Sequence, residues 1–166
     1  MTLSIYVADL AAYNNGILQG AWLDVDGFDK DDIQSAVHDL MLKWGVEEWA
    51  IHDYENFPQC FGEYPDFDEL AKYIKATEAQ GRAVVDAYLE IFDFTEIEQI
   101  EDRFYGVYDS DEDFAYSYLE DSGEINSIPE HLRYYFDYES WLSDQVLNGT
   151  FSYVRANFKT YIFSGF

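Results

Sequence analysis

The sequence contains a single cysteine, Cys60, among its 166 residues. One thiol cannot close an internal disulfide, and so low a cysteine content is typical of proteins from a reducing compartment. We expect Cys60 to be a small buried core residue rather than a reactive thiol. No apolar run approaches the roughly 18 residues of a membrane span, and no basic segment precedes a long apolar run at the N-terminus. These absences predict a cytoplasmic protein that binds no membrane.

Residue patterns of several catalytic and metal sites are also missing. The chain has neither the phosphate-gripping G-x-x-x-x-G-K pattern nor the G-x-S-x-G pattern of a nucleophile elbow. Its histidines, His38, His52 and His131, lie far apart and outside zinc-binding spacings such as H-E-x-x-H, which favours structural roles. Glycosidases use pairs of acidic residues, but in a chain with 34 acids the presence of such pairs does not distinguish an enzyme from a non-enzyme. The sequence therefore predicts no enzyme, no metal and no cofactor.

One acidic pattern is similar to a calcium-binding loop. It places oxygen-bearing side chains at the first, third, fifth, ninth and twelfth positions, which are Asp109, Asp111, Asp113, Ser117 and Glu120. The sixth position of such a loop needs Gly for a sharp turn, and here it is Phe114. Ser110 is also well placed to cap a helix. We therefore expect a helix here rather than a calcium site.

Positive charge is scarce, because nine Lys and Arg stand against 34 Asp and Glu and the net charge is −25. Disordered acidic chains are poor in aromatic residues, whereas this chain is 19% aromatic and 48% apolar, which is enough to fill a core. At roughly 1.7 Å of duplex axis per charge, its net charge matches about 42 Å of DNA. Such a field repels nucleic acid and attracts basic grooves. We expect a cationic protein surface as the partner and no nucleic acid.

The acids are densest between residues 83 and 130, where fifteen Asp and Glu accompany one base, Arg103. On the predicted helix over 82–92 and just beyond it, Asp86, Glu90 and Asp93 supply one carboxylate per turn. This spacing places charges roughly 5.4 Å apart, of the same order as the charges along a nucleic-acid strand. A solvated face is the plainer interpretation, and a surface bound in place of DNA is the sharper one. Under the sharper interpretation the phosphate-mimicking acids are Asp86, Glu90, Asp93, Glu96, Glu98, Glu101, Asp102, Asp109, Asp111, Glu112, Asp113, Glu120, Asp121 and Glu124.

The first part of the chain predicts a β-β-α-β module over residues 1–61. Alternating apolar residues indicate strands over 3–10 and 17–24, joined by an Asn-Asn-Gly turn at 14–16. Asp29 is placed to cap a helix over 30–44, which Gly45 ends. A third strand is predicted over 48–54.

Pro58, Gly62 and Pro65 break the pattern, so we place a module boundary near Phe61. The next module, 62–103, is predicted to be helical. Its helices cover 67–77, which begins at an Asp66 and Glu69 capping box, and 82–92, and a short helix follows a second box formed by Thr95 and Glu98.

The third module, 104–166, is predicted to mix strands and helices. It has a strand over 104–108, a helix capped by Ser110, and a helix over 138–147 capped by Asp137. A capping box of Ser127 and Glu130 begins another helix, and one or two strands with a turn at 156–157 complete the chain. The predicted fold is α+β, an elongated chain of three small modules with an acidic surface.

The N-terminal run resembles the ArdA antirestriction family. The residues that carry the resemblance are IYVADLAAYNNG at 5–16, continued by Leu18, Gly20 and Trp22. Tyr105 and Gly106 before an acidic helix also fit the family. A second match, in the family's antirestriction segment, consists of Tyr135, Phe136, Asp137, Tyr138, Glu139 and Asp144. The chain departs from the family beside Asp144, where Ser143 replaces the expected Arg and Gln145 the usual Leu.

The resemblance implies an acidic homodimer, carried on mobile genetic elements, that mimics B-form DNA. Members of the family occupy the DNA groove of type I restriction-modification enzymes at the core formed by the methyltransferase and specificity subunits, so that restriction and modification are both blocked. The residues alone leave another function open, a binding module for a different basic DNA-binding protein such as a nucleoid protein. Salt adaptation is disfavoured, because the acids are concentrated in one stretch.

Phe114 and Tyr118 lie four residues apart on a helix otherwise rich in acid. Side chains at this spacing are neighbours on one helix face. They are the predicted dimer contact, although ordinary core contacts explain the pattern equally well.

Overall fold

Two small antiparallel sheets of three strands each organise the chain. The computed structural model describes residues 2–165. These residues divide into two compact units, and the boundary falls between residues 82 and 83. Each unit holds one sheet together with helices, so the predicted mixture of α-helices and β-strands is confirmed. The finer division into modules ending at residues 61 and 103 stays a prediction.

The first sheet has β1 (Ser4–Asp9) between β2 (Gly20–Asp24) and β3 (Trp49–Glu55). Both neighbours pair with β1 in antiparallel register, which confirms the predicted hairpin. The connection differs from the prediction, because the Asp9 carboxylate accepts a hydrogen bond from the Ala12 N–H and begins a short helix, α1 (Leu10–Asn14). The second strand therefore begins only at Gly20, where the ring of Tyr6 leaves no room for a Cβ atom.

The helix α2 (Lys30–Trp44) has the predicted bounds. Asp29 and Asp32 form a reciprocal capping box at its start, and Gly45, with a φ of 69°, ends it in the left-handed region. Its buried residues Ile33 and Val37 face β1 and the next helix, α3 (Phe67–Gln80).

The second helix of this unit, α3, also matches its predicted apolar face. Leu70, Tyr73 and Ile74 are buried as expected. The Asp66 carboxylate caps the helix by accepting from the Asp68 N–H. The helix extends three residues beyond the predicted end, to Gln80, and Gly81 follows it.

Cys60 is exposed, so the prediction of a buried core cysteine was wrong. It lies in the loop between β3 and α3, where Phe57 and Phe61 take the inward positions. Phe57 packs on Tyr73 with 5.4 Å between ring centroids, and these rings leave no buried place for the smaller thiol. Desolvation nevertheless raises the pKa of the Cys60 thiol, which keeps it protonated and weakly nucleophilic.

The second unit contains the whole acidic stretch. Its α-helices are α4 (Arg82–Leu89), α5 (Ile100–Arg103), α6 (Asp111–Asp121) and α7 (Tyr138–Leu147). Its strands are β4 (Phe104–Tyr108), β5 (Phe151–Ala156) and β6 (Lys159–Ser164). Short 3-10 helices cover Phe94–Gln99, Glu124–Ser127 and Glu130–Tyr135.

In the second sheet, β6 lies between β4 and β5 and is covered on both faces. Phe163 contacts Tyr88 and Phe92, with ring centroids 5.5 and 6.1 Å away. The adjacent Ile162, which points to the opposite face, belongs to a core cluster with Phe114, Ala115, Leu119, Ile125, Tyr138, Leu142 and Phe151. Because both faces of β6 are buried, its residues 161–163 are all apolar instead of alternating with polar ones.

The C-terminal segment folds as two strands, which settles the alternatives that the sequence left open. Its turn lies at Asn157 and Phe158, one residue later than predicted. Both residues have positive φ angles, 53° and 60°, as a two-residue hairpin turn requires.

Several predicted helix boundaries in this unit were wrong. The helix expected over 82–92 ends at Leu89, because Phe92 turns inward to stack on Tyr88 and Asp93 begins the next element. The Asp93 carboxylate, rather than a Thr95 and Glu98 capping box, caps the helix Phe94–Gln99. The predicted box of Ser127 and Glu130 is also absent, since Pro129 precedes that helix and offers no side-chain cap.

The core position of Phe114 generates a first prediction. Its side chain is 1% exposed, so Phe114→Ala should destabilise the fold by about 3–5 kcal/mol through lost burial and a residual cavity. Urea denaturation followed by circular dichroism measures this difference. Phe158→Ala is the matched control, because Phe158 is fully exposed and its truncation should change the unfolding free energy by less than about 0.5 kcal/mol. An unchanged unfolding midpoint for Phe114→Ala together with a smaller sedimenting species would instead make Phe114 a subunit contact.

Candidate partner-binding surface

The structure exposes most of the acids that the sequence singled out. They are distributed over the end of α4, the 3-10 helix Phe94–Gln99, the helices α5 and α6, and the turns beside them. Asp86 and Glu96 are half-buried and Asp111 is buried. The exposed members are Glu90, Asp93, Glu98, Glu101, Asp102, Asp109, Glu112, Asp113, Glu120, Asp121 and Glu124.

Helix α6 illustrates how the fold separates charge from core. Its inner face buries Phe114, Ala115 and Leu119. The helical period then turns Glu112 and Asp113, and two turns later Glu120 and Asp121, toward solvent. At about 1.5 Å of rise per residue, these two carboxylate pairs lie about 12 Å apart along the axis. The helix therefore presents its exposed charge in two pairs.

Two exposed acids, Asp93 and Asp137, serve as helix caps. Asp93 accepts hydrogen bonds from the backbone N–H and the hydroxyl of Thr95, at 2.9 and 2.8 Å, and these bonds lower the pKa of its carboxyl group. Asp137 accepts from the N–H and hydroxyl of Ser140, at 2.9 and 2.7 Å, with the same effect on its pKa. Both carboxylates are thus kept ionised while their geometry is fixed by the backbone.

Arg103, the base within the acidic stretch, is directed inward. Its guanidinium lies 4.3 Å from the Phe92 ring centroid and bonds Glu96 and Gln99, at 2.7 Å each. The side chain is only 17% exposed. Positive charge in this stretch is therefore used in packing, and little of it reaches the surface.

Asp111 is the buried member of the predicted set and has a structural role. Its side chain accepts hydrogen bonds from Arg155, whose Nε lies at 3.2 Å, and from the Thr160 hydroxyl at 2.9 Å. Burial alone would raise the pKa of this carboxyl group, but the bonds from Arg155 and Thr160 and the Arg155 charge lower it overall. Asp111 thus joins the start of α6 to the hairpin of β5 and β6, and it offers little surface to a partner.

The acids of the rejected calcium pattern are not arranged as a loop. Ser110 accepts from the Asp113 N–H and caps α6, which confirms the predicted cap. Asp109 precedes the helix and pairs with Lys159. Among residues 2–165, no cluster of three or more His, Cys, Asp and Glu side chains is placed to hold a metal ion.

The antirestriction segment is partly structural and partly exposed. Phe136 and Tyr138 pack on the core cluster, and Asp137 caps α7. Glu139 and Asp144 are exposed on that helix, and Tyr135 is 78% exposed just before it. Sequence reasoning missed the neighbouring Tyr134, which is 90% exposed. Two adjacent tyrosines carry no periodic signal that would separate an exposed pair from a buried one.

The predicted dimer contact consists of Phe114 and Tyr118, and both make core contacts within one chain. Phe114 is buried among Tyr108, Tyr118 and Phe151. Tyr118 is half-buried, with its ring centroid 5.1 Å from that of Phe151. Of the two interpretations that the sequence left open, the structure favours core packing for Phe114, and dimerisation stays a prediction.

The fold and the exposed groups define a mixed α/β protein that displays carboxylates along irregular and helical segments. The antirestriction protein family, ArdA, has a model that matches residues 5–160, and the chain belongs to this family. The family acts in antirestriction, which implies an interaction with restriction enzymes. No curated protein matches the chain. Within residues 2–165, no helix combines the length and apolar character that a membrane crossing requires.

The buried position of Asp111 generates a second prediction. Because its pKa is lower in the folded state than in the unfolded chain, Asp111 stabilises the fold above the unfolded value of about 3.9, and this contribution is lost as the pH falls through the folded value. Asp111→Asn should therefore cost about 1–3 kcal/mol at pH 7, and less below pH ~4. Urea unfolding of both proteins across this pH range measures the difference.

Asp109→Asn is the matched control, since its carboxylate and Lys159 are both exposed. Solvent screens an exposed pair, so Asp109→Asn should leave the unfolding free energy nearly unchanged. A pH-independent difference between wild type and Asp111→Asn would contradict the role assigned to the ionised carboxylate.

Proposed function

We propose that this protein is a DNA mimic that binds the DNA groove of type I restriction-modification enzymes and inhibits restriction and modification. The observation that carries the proposal is the exposure of carboxylates over residues 90–124 together with the inward position of Arg103, the base of that stretch. Family membership supports the restriction enzyme as the target.

The remaining bases of the second unit support the same proposal. Arg133 donates to the Ile128 carbonyl and the Asn126 side chain, at 3.1 and 3.2 Å. Arg155 bonds Asp111, and Lys159 bonds Asp109. Each of these cations has an internal acceptor, so the exposed acids keep most of their field for a partner. A groove lined by Lys and Arg would be attracted to these carboxylates, as it is to DNA phosphates.

The proposed contact surface keeps the exposed acids of the predicted set and leaves Asp111 out, because its carboxylate already has three internal hydrogen bonds. The proposed target is the core formed by the methyltransferase and specificity subunits. Occupying a groove that both reactions need would block modification as well as cleavage. The protein would thereby protect incoming mobile DNA in the cytoplasm.

A homodimer forms part of the proposal. One chain carries a net charge equivalent to about 42 Å of duplex, at roughly 1.7 Å of axis per charge, and two chains would match about twice that length. Phe114 is buried within the chain, so we propose that subunits meet through residues other than Phe114.

Competition between this protein and duplex DNA tests the proposed function. We expect the protein to displace a duplex carrying the recognition site from a type I methyltransferase core, and to bind more weakly as salt rises, as DNA does. Fluorescence anisotropy of the labelled duplex measures both effects. Simultaneous binding of duplex and protein would exclude groove occupation, and tight binding to a nucleoid protein alone would favour the other function.

The four exposed acids of α6 provide a sharper test. Changing Glu112, Asp113, Glu120 and Asp121 together to their amides removes four charges from solvent-facing positions without altering shape. At about 0.2–1 kcal/mol per exposed pair, binding to the methyltransferase core should weaken by about 1–4 kcal/mol. The salt dependence of binding should also become shallower.

The matched control changes Asp39, Glu47, Glu48 and Glu63 to amides, because these exposed acids of the first unit give the same change in net charge. We expect a smaller loss of affinity for this variant, while circular dichroism shows both variants folded. Equal losses for the two variants would mean that the partner senses total charge rather than the α6 carboxylates.

A further inference from the structure

Two adjacent tyrosines are displayed to solvent before α7. Tyr134 is 90% exposed and Tyr135 is 78% exposed, the highest exposures among the tyrosines described. Their rings meet edge to face, with centroids 5.3 Å apart and an interplanar angle of 88°. Large aromatic side chains are usually at least half-buried in folded proteins. This pair therefore differs from the rings that fill the core.

The backbone beneath the pair is held on both sides. The Arg133 guanidinium donates to the Ile128 carbonyl and to the Asn126 side chain, at 3.1 and 3.2 Å. The Leu132 N–H bonds the Pro129 carbonyl at 2.8 Å, and the Phe136 N–H bonds the Arg133 carbonyl at 3.2 Å. The tyrosines thus project from a backbone segment that is already held in place. A partner that contacts them therefore immobilises few additional rotatable bonds, which lowers the entropy cost of binding.

The charges around the pair indicate what could contact it. Glu130, Asp137 and Glu139 are exposed nearby in the chain, and bonding to Ser140 keeps the Asp137 carboxylate ionised. Arg133 is half-exposed, and its guanidinium is held by the Ile128 carbonyl and the Asn126 side chain. A phosphate or an apolar surface would face the Glu130 and Asp137 carboxylates here, whereas a guanidinium could stack on a ring and bond an adjacent acid.

We propose that Tyr134 and Tyr135 form a stacking subsite for arginine side chains of the partner's DNA-binding groove. This inference rests on the proposed function and adds to it a contact that depends on ring faces rather than on net charge. The exposed acids attract the groove over long range, and the tyrosines bind the guanidinium groups that reach them.

The test uses a variant that removes the rings without changing charge. Tyr134→Ser/Tyr135→Ser keeps the net charge of −25. It should weaken binding to a type I methyltransferase core about 5- to 30-fold, the effect of two cation–π contacts of ordinary strength. The slope of log affinity against log salt should stay at the wild-type value, because no charge is lost. Titration of the full-length protein at several salt concentrations gives both quantities.

Two further variants make the result specific. Tyr134→Phe/Tyr135→Phe retains the rings and should bind like the wild type. Leu18→Ser removes an apolar side chain that is 86% exposed in the first unit, and it should also bind like the wild type. Circular dichroism and sedimentation of each variant report its fold and its oligomeric state.

If the double Ser variant binds the methyltransferase core with wild-type affinity, the proposed stacking subsite is wrong. The proposed function would still stand in that case, provided that the α6 amide variant binds the core weakly. Failure of the Phe variant to restore binding would assign the contact to the hydroxyl groups and overturn stacking. A smaller sedimenting species for the double Ser variant would make the pair a contact between two copies of this chain. If the wild-type protein does not displace DNA at all, the proposed function fails and this inference fails with it.

Discussion

The 34 carboxylates of the chain repel one another, and the rest of the fold must offset this repulsion to remain stable. Like charges on neighbouring helix positions cost a few tenths of a kcal/mol per pair. The second unit offsets this repulsion with a densely aromatic core, in which the Phe114 and Phe151 rings meet edge to face at 5.1 Å. Such a contact adds about 0.5–1.5 kcal/mol to the stability gained from area alone. A few core rings can therefore balance many exposed charges.

The scarce bases are part of the same balance. In the second unit, Arg103, Arg133, Arg155 and Lys159 each bond an acceptor within the chain. An arginine on a ring or on a backbone carbonyl stabilises a turn through geometry as well as charge. This arrangement stabilises local structure while it removes little negative charge from the exposed acids, so stability and the proposed mimicry make compatible demands on the same few residues.

Several helix caps could be predicted from the sequence, although the capping boxes at Thr95 and Ser127 were wrong, and distant contacts could not be predicted. The caps at Asp29, Ser110 and Asp137 and the stop at Gly45 were correct, because each depends on a few adjacent residues. The burial of Asp111 depends on Arg155 and Thr160, which lie 44 and 49 residues away. The exposure of Cys60 likewise follows from how nearby rings pack on Tyr73. The sequence could thus locate the acidic stretch but could not sort its acids into exposed and structural ones.

That sorting bears on how a charged surface could select a partner. A field from exposed carboxylates attracts any basic groove and so mainly raises the rate of association. Discrimination needs groups with direction, and Tyr134 and Tyr135 are displayed beside acids on a fixed turn. A groove that reads duplex DNA meets phosphates and base edges, because the base faces are stacked inside the helix. A protein that presents carboxylates and exposed rings together would therefore offer such a groove charge and, in addition, stacking contacts, and only a partner with guanidinium groups placed at the rings would bind it fully.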